Sequence, residues 1–175
     1  MPQSDDACSV LGIPDYLHTL AQTSNQEFNA TELLYRRHQL NDRKIKTIIN
    51  FREMSVNRSS CCRSPSDVLT NTQTGDEYLG FGVVSFSVGA IRGLFHNVMA
   101  SGQQIISYGA SVIHEPERCN YSHTIVVGSI NQSNIPKNED LPKITRKILR
   151  QQLWGSISTE IPIELKRKSL EEESW

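Results

Sequence analysis

From Lys44 to Val98 three signals follow one another without a break, and they constrain the fold of this chain more than any other stretch. The run KIKTIINFREMSV alternates Ile45, Thr47, Ile49 and Phe51 with Lys46, Ile48 and Asn50, the period of two of a half-buried strand. Next, SSCCRSPSDVL holds Ser64-Pro65-Ser66-Asp67, where proline suits a first helical turn and Ser or Asp can cap it. A short helix DVLTNT and a turn at Gly75-Asp76 follow. Last, GFGVVSFSVGAIRGLFHNVM places Val84, Val88, Ile91, Phe95, Val98 and Met99 at helical spacing, with Gly102 as a stop. The segment predicts strand, turn and amphipathic helix, and it holds no arrangement that a common chemistry requires.

Downstream, QIISYGASVIHE and YSHTIVVGSIN are β-branched, alternating runs joined by PERCN, which predicts an antiparallel hairpin. Leu141-Pro142 opens a helix KITRKILRQQLW, with Ile144, Ile148 and Trp154 setting its apolar side, Leu149 and Leu153 widening it, and Gly155 ending it. Ile157 to Leu165 then alternates as a last strand, placed at a sheet edge because Pro162 cannot donate to a ladder. Upstream, residues 1–43 read as an arm with two short apolar clusters. Pro14 starts a short helix carrying Tyr16, Leu17 and Leu20, and Thr31 caps a second through ELLYRRHQL with Leu33, Leu34 and Tyr35. Apolar clusters on a polar tether suit docking to another surface, and packing on the chain's own domain is the plain alternative. The expected architecture is α+β: an N-terminal arm over 1–43, a domain over 44–168 with a small, largely antiparallel sheet and two or three helices, and an acidic tail over 169–175.

Composition narrows function by exclusion. A formal net charge of -1 speaks against a dedicated nucleic-acid binder, which is usually strongly basic. No apolar run approaches the roughly 18 residues that a membrane-spanning helix needs. The N-terminus lacks a basic n-region and does not read as a secretory leader. Cys8, Cys61, Cys62 and Cys119 are therefore expected as reduced thiols. The sequons at Asn29, Asn57, Asn120 and Asn131 are read as composition rather than as glycosylation sites.

Chemistry finds little to work with. Cys61, Cys62, His114, Cys119 and His123 contain no Cys-x2-Cys pair of the kind that presents two thiolates from one turn, so no metal is expected. Cys119 beside His114 or His123 could in principle form a thiolate–imidazole pair, but no oxyanion-type context surrounds it. Glu115 and Glu117 flank Pro116 on a turn, and no phosphate-binding glycine loop is present. Neither enzymatic activity nor a cofactor is expected. Charge is more patterned: Lys143, Arg146, Lys147, Arg150, Lys166, Arg167 and Lys168 outweigh Glu160 and Glu164, and Glu171-Glu172-Glu173 follow. Such a patch attracts phosphate backbones or anionic lipid head groups, and basic and acidic blocks in one chain also suit self-association.

The polar arm, the run KIKTIINFREMSV, the Arg/Ser-rich turn into SPSDVL, the Tyr78–Gly82 segment, the segment to Met99 and the late hairpin together resemble the matrix proteins of rhabdoviruses. The short forms of plant-infecting cytorhabdoviruses are the nearest in kind. The resemblance spans roughly residues 44–165 as architecture and about 44–99 at the level of residues. It implies a non-enzymatic protein of the host cytoplasm and virion that polymerises beneath the envelope and bridges nucleocapsid to membrane. Its partners would be further copies of itself, the viral nucleocapsid and an anionic membrane surface. Self-association would fall to Tyr16, Leu17, Leu20, Leu33, Leu34 and Tyr35, and anionic partners to the basic patch. The chain lacks a lysine-rich N-terminus and a Pro-Pro-x-Tyr motif. A small adaptor that binds a protein partner through its N-terminal arm is the alternative.

Overall fold

A computed structural model describes residues 6–18, 27–39, 45–137 and 139–163. Eight antiparallel strands form one sheet that curls into a half-barrel. In chain order they are β1 (Leu33–Gln39), β2 (Met54–Arg58), β3 (Phe81–Ser87), β4 (His96–Met99), β5 (Ile105–His114), β6 (His123–Ile130), β7 (Ser133–Asn134) and β8 (Ser158–Ile161). They lie in the order β4-β5-β6-β2-β1-β3-β8, with β7 added on β6. Among the described residues the α-helices are α1 (Asp6–Val10), α2 (Ile45–Ile48), α3 (Val88–Arg92) and α4 (Lys143–Trp154), and only α4 exceeds two turns. The chain is sheet-dominated, which corrects the expected α+β domain with a small sheet.

Three segments account for the correction. LLYRRHQ, expected as helix, is β1, and β1 is paired on both sides, with β2 and β3. Both faces of the sheet are covered there, so Leu34 is buried in the main core and its neighbour Tyr35 in a second cluster with Val68 and Val83. The expected strand over 45–51 is α2 and a turn. Ile48, Ile49 and Phe51 are all buried in the main core, and burial of two successive residues breaks a period of two. The third segment, 81–99, divides into strand, helix and strand. Val83 and Val84 are buried on opposite faces of β3, a fit for β-branched side chains, and Ser87 Oγ then accepts from Ala90 N at 3.0 Å to start α3.

Other expectations match what forms. The PERCN hairpin is β5 and β6, paired from Tyr108↔Ile130 to His114↔Thr124. Ser64 and Asp67 make a capping box on a 3₁₀ turn over Pro65–Leu69. β8 is the sheet's far edge, paired only with β3 among the described residues. α4 forms as expected but turns differently: Leu149, Leu153 and Thr145 are buried, while Ile144 and Trp154 are exposed. Its buried side lies in one core with Phe51, Met54, Val56, Val84, Phe86 and Val126. Arg150 Nε fixes α4 to the α2 turn by donating to Ile49 O at 2.9 Å.

The N-terminal segment is built into this body. Cys8 and Cys119 form a disulfide across 111 residues, where four thiols had been expected. Tyr121 N donates to Leu17 O at 2.8 Å, and Ile13 and Leu17 are buried with the two cysteines in a satellite core. With β1 central in the sheet, the expected boundary at residue 43 falls inside one sheet rather than between an arm and a domain. The tail over 169–175 lies outside the described residues. Gly75 seals the seam with the N-terminal segment. Its φ is +80°, and a Cβ there would stand 2.2 Å from Leu11 O. Gly75→Ala is expected to cost about 1–3 kcal/mol, read as a lowered Tm, and an unchanged Tm would show that Leu11 is not held there.

Candidate functional site

The residues expected to dock on another copy are used within the chain. Leu17 and Leu34 are buried in the satellite and main cores, and Tyr35 and the half-buried Leu33 pack with Val68 and Val83. Tyr16 Oη donates to Asp67 Oδ1 at 2.8 Å, and the Arg63 guanidinium stacks 4.2 Å from its ring centroid. Leu20 lies outside the described residues.

The basic patch is divided as well. Arg146 pairs with Asp140 at 3.2 Å, and Arg150 is bound to Ile49 O, where burial and the neighbouring Arg146 charge lower its pKa. Lys143 and Lys147 remain exposed on α4. Lys166, Arg167 and Lys168 lie outside the described residues.

The cysteine and histidine set separates into two environments. His114 packs edge-on against Tyr121 and Phe28, with its pKa lowered by burial and then by the Arg58 charge. His123 lines a polar cleft of about 170 Å³ together with Ser55, Asn57, Cys62, Asn120 and Ser122. Its Nδ1 lies 2.8 Å from Glu115 O, a group that only accepts, so Nδ1 carries the proton. In the neutral ring Nε2 then accepts from Ser55 Oγ at 2.8 Å. This links β2 to the start of β6 on the face opposite the main core, and Glu117 stands 3.8 Å from Nδ1. Burial pushes the Cys62 thiol up to about 12, so it stays protonated, and Cys119 is tied to Cys8. Among the described residues no group of three or more His, Cys, Asp or Glu side chains is placed to hold a metal ion.

A different surface stands out. From Gly93 to His114 the chain contains no Asp, Glu, Lys or Arg, and this run forms β4, its turn and β5. β4 ends the sheet, and among the described residues no strand pairs with its outer side. Phe95, Met99 and Ile105 are 63, 72 and 58% exposed, and Met99 is directly opposite Ile105 across the hairpin. Ile144 of α4 is also exposed, at 71%. Edge strands are usually protected by shortness, charge, proline or a bulge, and β4, though only four residues long, carries neither charge nor proline.

The main chain of β4 is equally open. Ser107 turns its N–H to Asn131 Oδ1 and its carbonyl to Asn131 N, at 2.9 and 2.7 Å. Alternation then points Ile106 and Tyr108 at β4, and Val98 and His96 back at β5. Ala100 N bonding to Gln104 O at 2.8 Å keeps that phase. Asn97 and Met99 therefore direct their N–H and C=O groups outward. At Phe95 the same outward groups are clamped by the Gln152 side chain, at 3.2 and 2.9 Å. The open edge is thus short, apolar and uncharged. Residue-by-residue helical spacing concealed it, whereas the charge-free run between Arg92 and Glu115 was readable throughout.

Searched against known protein families, curated proteins and solved structures, the chain matches none.

Proposed function

We propose that this chain is a non-enzymatic structural protein that works by associating with copies of itself through the outer edge of β4. The observation that carries this is the open, uncharged edge, with outward main-chain groups at Asn97 and Met99 beside exposed Phe95, Met99 and Ile105. A second copy suits it because an uncharged edge meets its own image without like-charge repulsion. Antiparallel pairing of two β4 strands about a two-fold axis would satisfy both sets of outward groups and cover the apolar side chains. The matrix-type resemblance supports self-association in kind. The nucleocapsid and membrane contacts it also implies are left out, because Arg146 and Arg150 are engaged within the chain.

Sedimentation velocity across protein concentration and salt tests the proposal. Association is expected to be concentration-dependent and nearly insensitive to salt, since no charge lies on the edge. Met99→Lys with Ile105→Lys should weaken it at least tenfold, about 1.4 kcal/mol. Asn97→Pro should do the same, because it removes an outward N–H and no ladder bond within the chain. A chain that stays monomeric at every concentration overturns the proposal and favours the adaptor reading. Salt-sensitive association lost in Lys143→Glu/Lys147→Glu overturns it in favour of α4.

A further inference from the structure

The disulfide and the sequons are not used by the assembly reading, and they belong together. We infer that this chain folds in an oxidising secretory compartment and carries N-linked oligosaccharide on Asn29 and Asn131, with Asn57 and Asn120 left unmodified. The location differs from the cytoplasmic one that the matrix resemblance implies and from the expectation of reduced thiols behind an N-terminus that does not read as a leader, and the inference does not rest on self-association through β4.

Two independent observations point the same way. The first is the bond between Cys8 and Cys119, whose Cα atoms are 5.6 Å apart and whose side chains are buried in the satellite core with Ile13 and Leu17. Persistent structural disulfides belong to compartments that oxidise thiols. Forming this one takes two electrons and two protons from the cysteines, and a protein disulfide donor of that compartment accepts them and leaves as a dithiol.

The second observation is how the fold treats the four sequons. Asn29 is exposed in the turn before β1, and both Thr31 N and Thr31 Oγ1 donate to its Oδ1, each at 3.0 Å. That is an Asx turn, with the sequon hydroxyl beside the amide and Nδ2 turned away from these bonds. Asn131 is exposed at the tip between β6 and β7, with φ of 48°, and its Oδ1 accepts from Ser107 N at 2.9 Å. Again the oxygen is held by the chain and the nitrogen is left for chemistry. Transfer joins Nδ2 to the anomeric carbon of a lipid-linked oligosaccharide. The lipid pyrophosphate leaves with the bonding pair, and Nδ2 gives up one proton.

Asn57 and Asn120 are treated differently. Both are half-buried in the polar cleft, and both accept from one hydroxyl, Ser122 Oγ, at 2.9 and 2.7 Å. Asn120 also follows Cys119 directly, and the next residue, Tyr121, is bonded to Leu17 O. Their oxygens are held as those of Asn29 and Asn131 are, so burial makes the difference: a sugar on either amide nitrogen would have to fit inside a cleft of about 170 Å³ that Leu17 also lines. The fold therefore accommodates a glycan at two of the sequons and opposes it at the other two.

The test is made on the full chain isolated from the cells that produce it. Unreduced intact mass is measured before and after enzymatic release of N-glycans, followed by peptide mapping. Asn29 and Asn131 should read as aspartate after release, Asn57 and Asn120 as asparagine, and Cys8 and Cys119 as one linked peptide. In the same cells, Asn29→Gln and Asn131→Gln should each remove one glycan and the double variant both. A mass equal to the unmodified chain with four free thiols overturns the inference. Glycans on Asn57 or Asn120 overturn its assignment of sites.

Discussion

Arg58→Met is expected to destabilise this protein by about 3–5 kcal/mol, the usual consequence of leaving one member of a buried ion pair alone. Arg58 Nε and Nη2 donate to the two Glu32 carboxylate oxygens at 2.8 and 2.9 Å, and the side chains are only 4 and 6% exposed. Nη2 also donates to Glu27 O at 2.7 Å, and the guanidinium lies 4.1 Å from the Phe28 ring centroid. One side chain thus joins β2 to the segment leading into β1. Without it Glu32 keeps the hydrogen bonds of Ser60, whose hydroxyl donates at 2.5 Å. Urea unfolding of Arg58→Met, Glu32→Leu and the double variant measures this. The double variant should recover most of the loss, since removing both charges also removes the burden of burying one. A single-variant loss below about 1 kcal/mol would show a pair that behaves as if solvated.

The same pair gives a pH dependence with a defined sign. Burial raises the Glu32 pKa, but the Arg58 and Ser60 hydrogen bonds and the Arg58 charge outweigh it and leave it below 4.5. A folded value below the unfolded one means a contribution fully present above pH 4.5 and lost as pH falls through the lower folded value. In Arg58→Met the lowering by the Arg58 hydrogen bonds and charge is gone, so the folded value rises and the dependence on pH becomes shallower. That variant should lose less stability than the parent as pH falls below 4.5.

Cys8→Ser is expected to cost about 2–5 kcal/mol, because the bond to Cys119 closes a loop of 111 residues in the unfolded chain. It also anchors the satellite core, in which Ile13 and Leu17 have few other neighbours of their kind. Cys8→Ser, Cys119→Ser and the double variant should all show the same loss, and the reduced parent should match them. Hydrogen exchange should report the largest change over residues 6–18. Losses that add between the two single variants would mean that each cysteine contributes by packing and that the bond does little.

Sequence periodicity read the chain well where neighbours decide the outcome. β5 and β6 are long, β-branched and close in sequence, and α4 carries enough apolar positions for any helix register to be recognisable. Ser64 and Asp67 act within one turn, so their capping needs no distant partner. Periodicity misled where a segment is covered on both faces. β1 has apolar neighbours at Leu33, Leu34 and Tyr35 because it lies between β2 and β3, and an amphipathic reading turns that into a helix. Ile48 and Ile49 are buried together because α4 and Arg36 close over them, at 3.3 Å from Arg36 Nε to Ile48 O.

The candidate surfaces follow the same division. Composition along the chain determined by itself that Gly93 to His114 is uncharged, that four sequons exist and that no apolar run is long enough for a membrane-spanning helix. Those properties need no partner residue to be true. Only the tertiary structure decided that the uncharged run ends the sheet, that Asn97 and Met99 face outward, and that Cys8 meets Cys119. The same holds for Ser122 occupying two of the four sequon asparagines. The reason is physical: edge position, sheet face and thiol pairing are set by contacts between residues tens of positions apart, and local hydropathy carries no record of them.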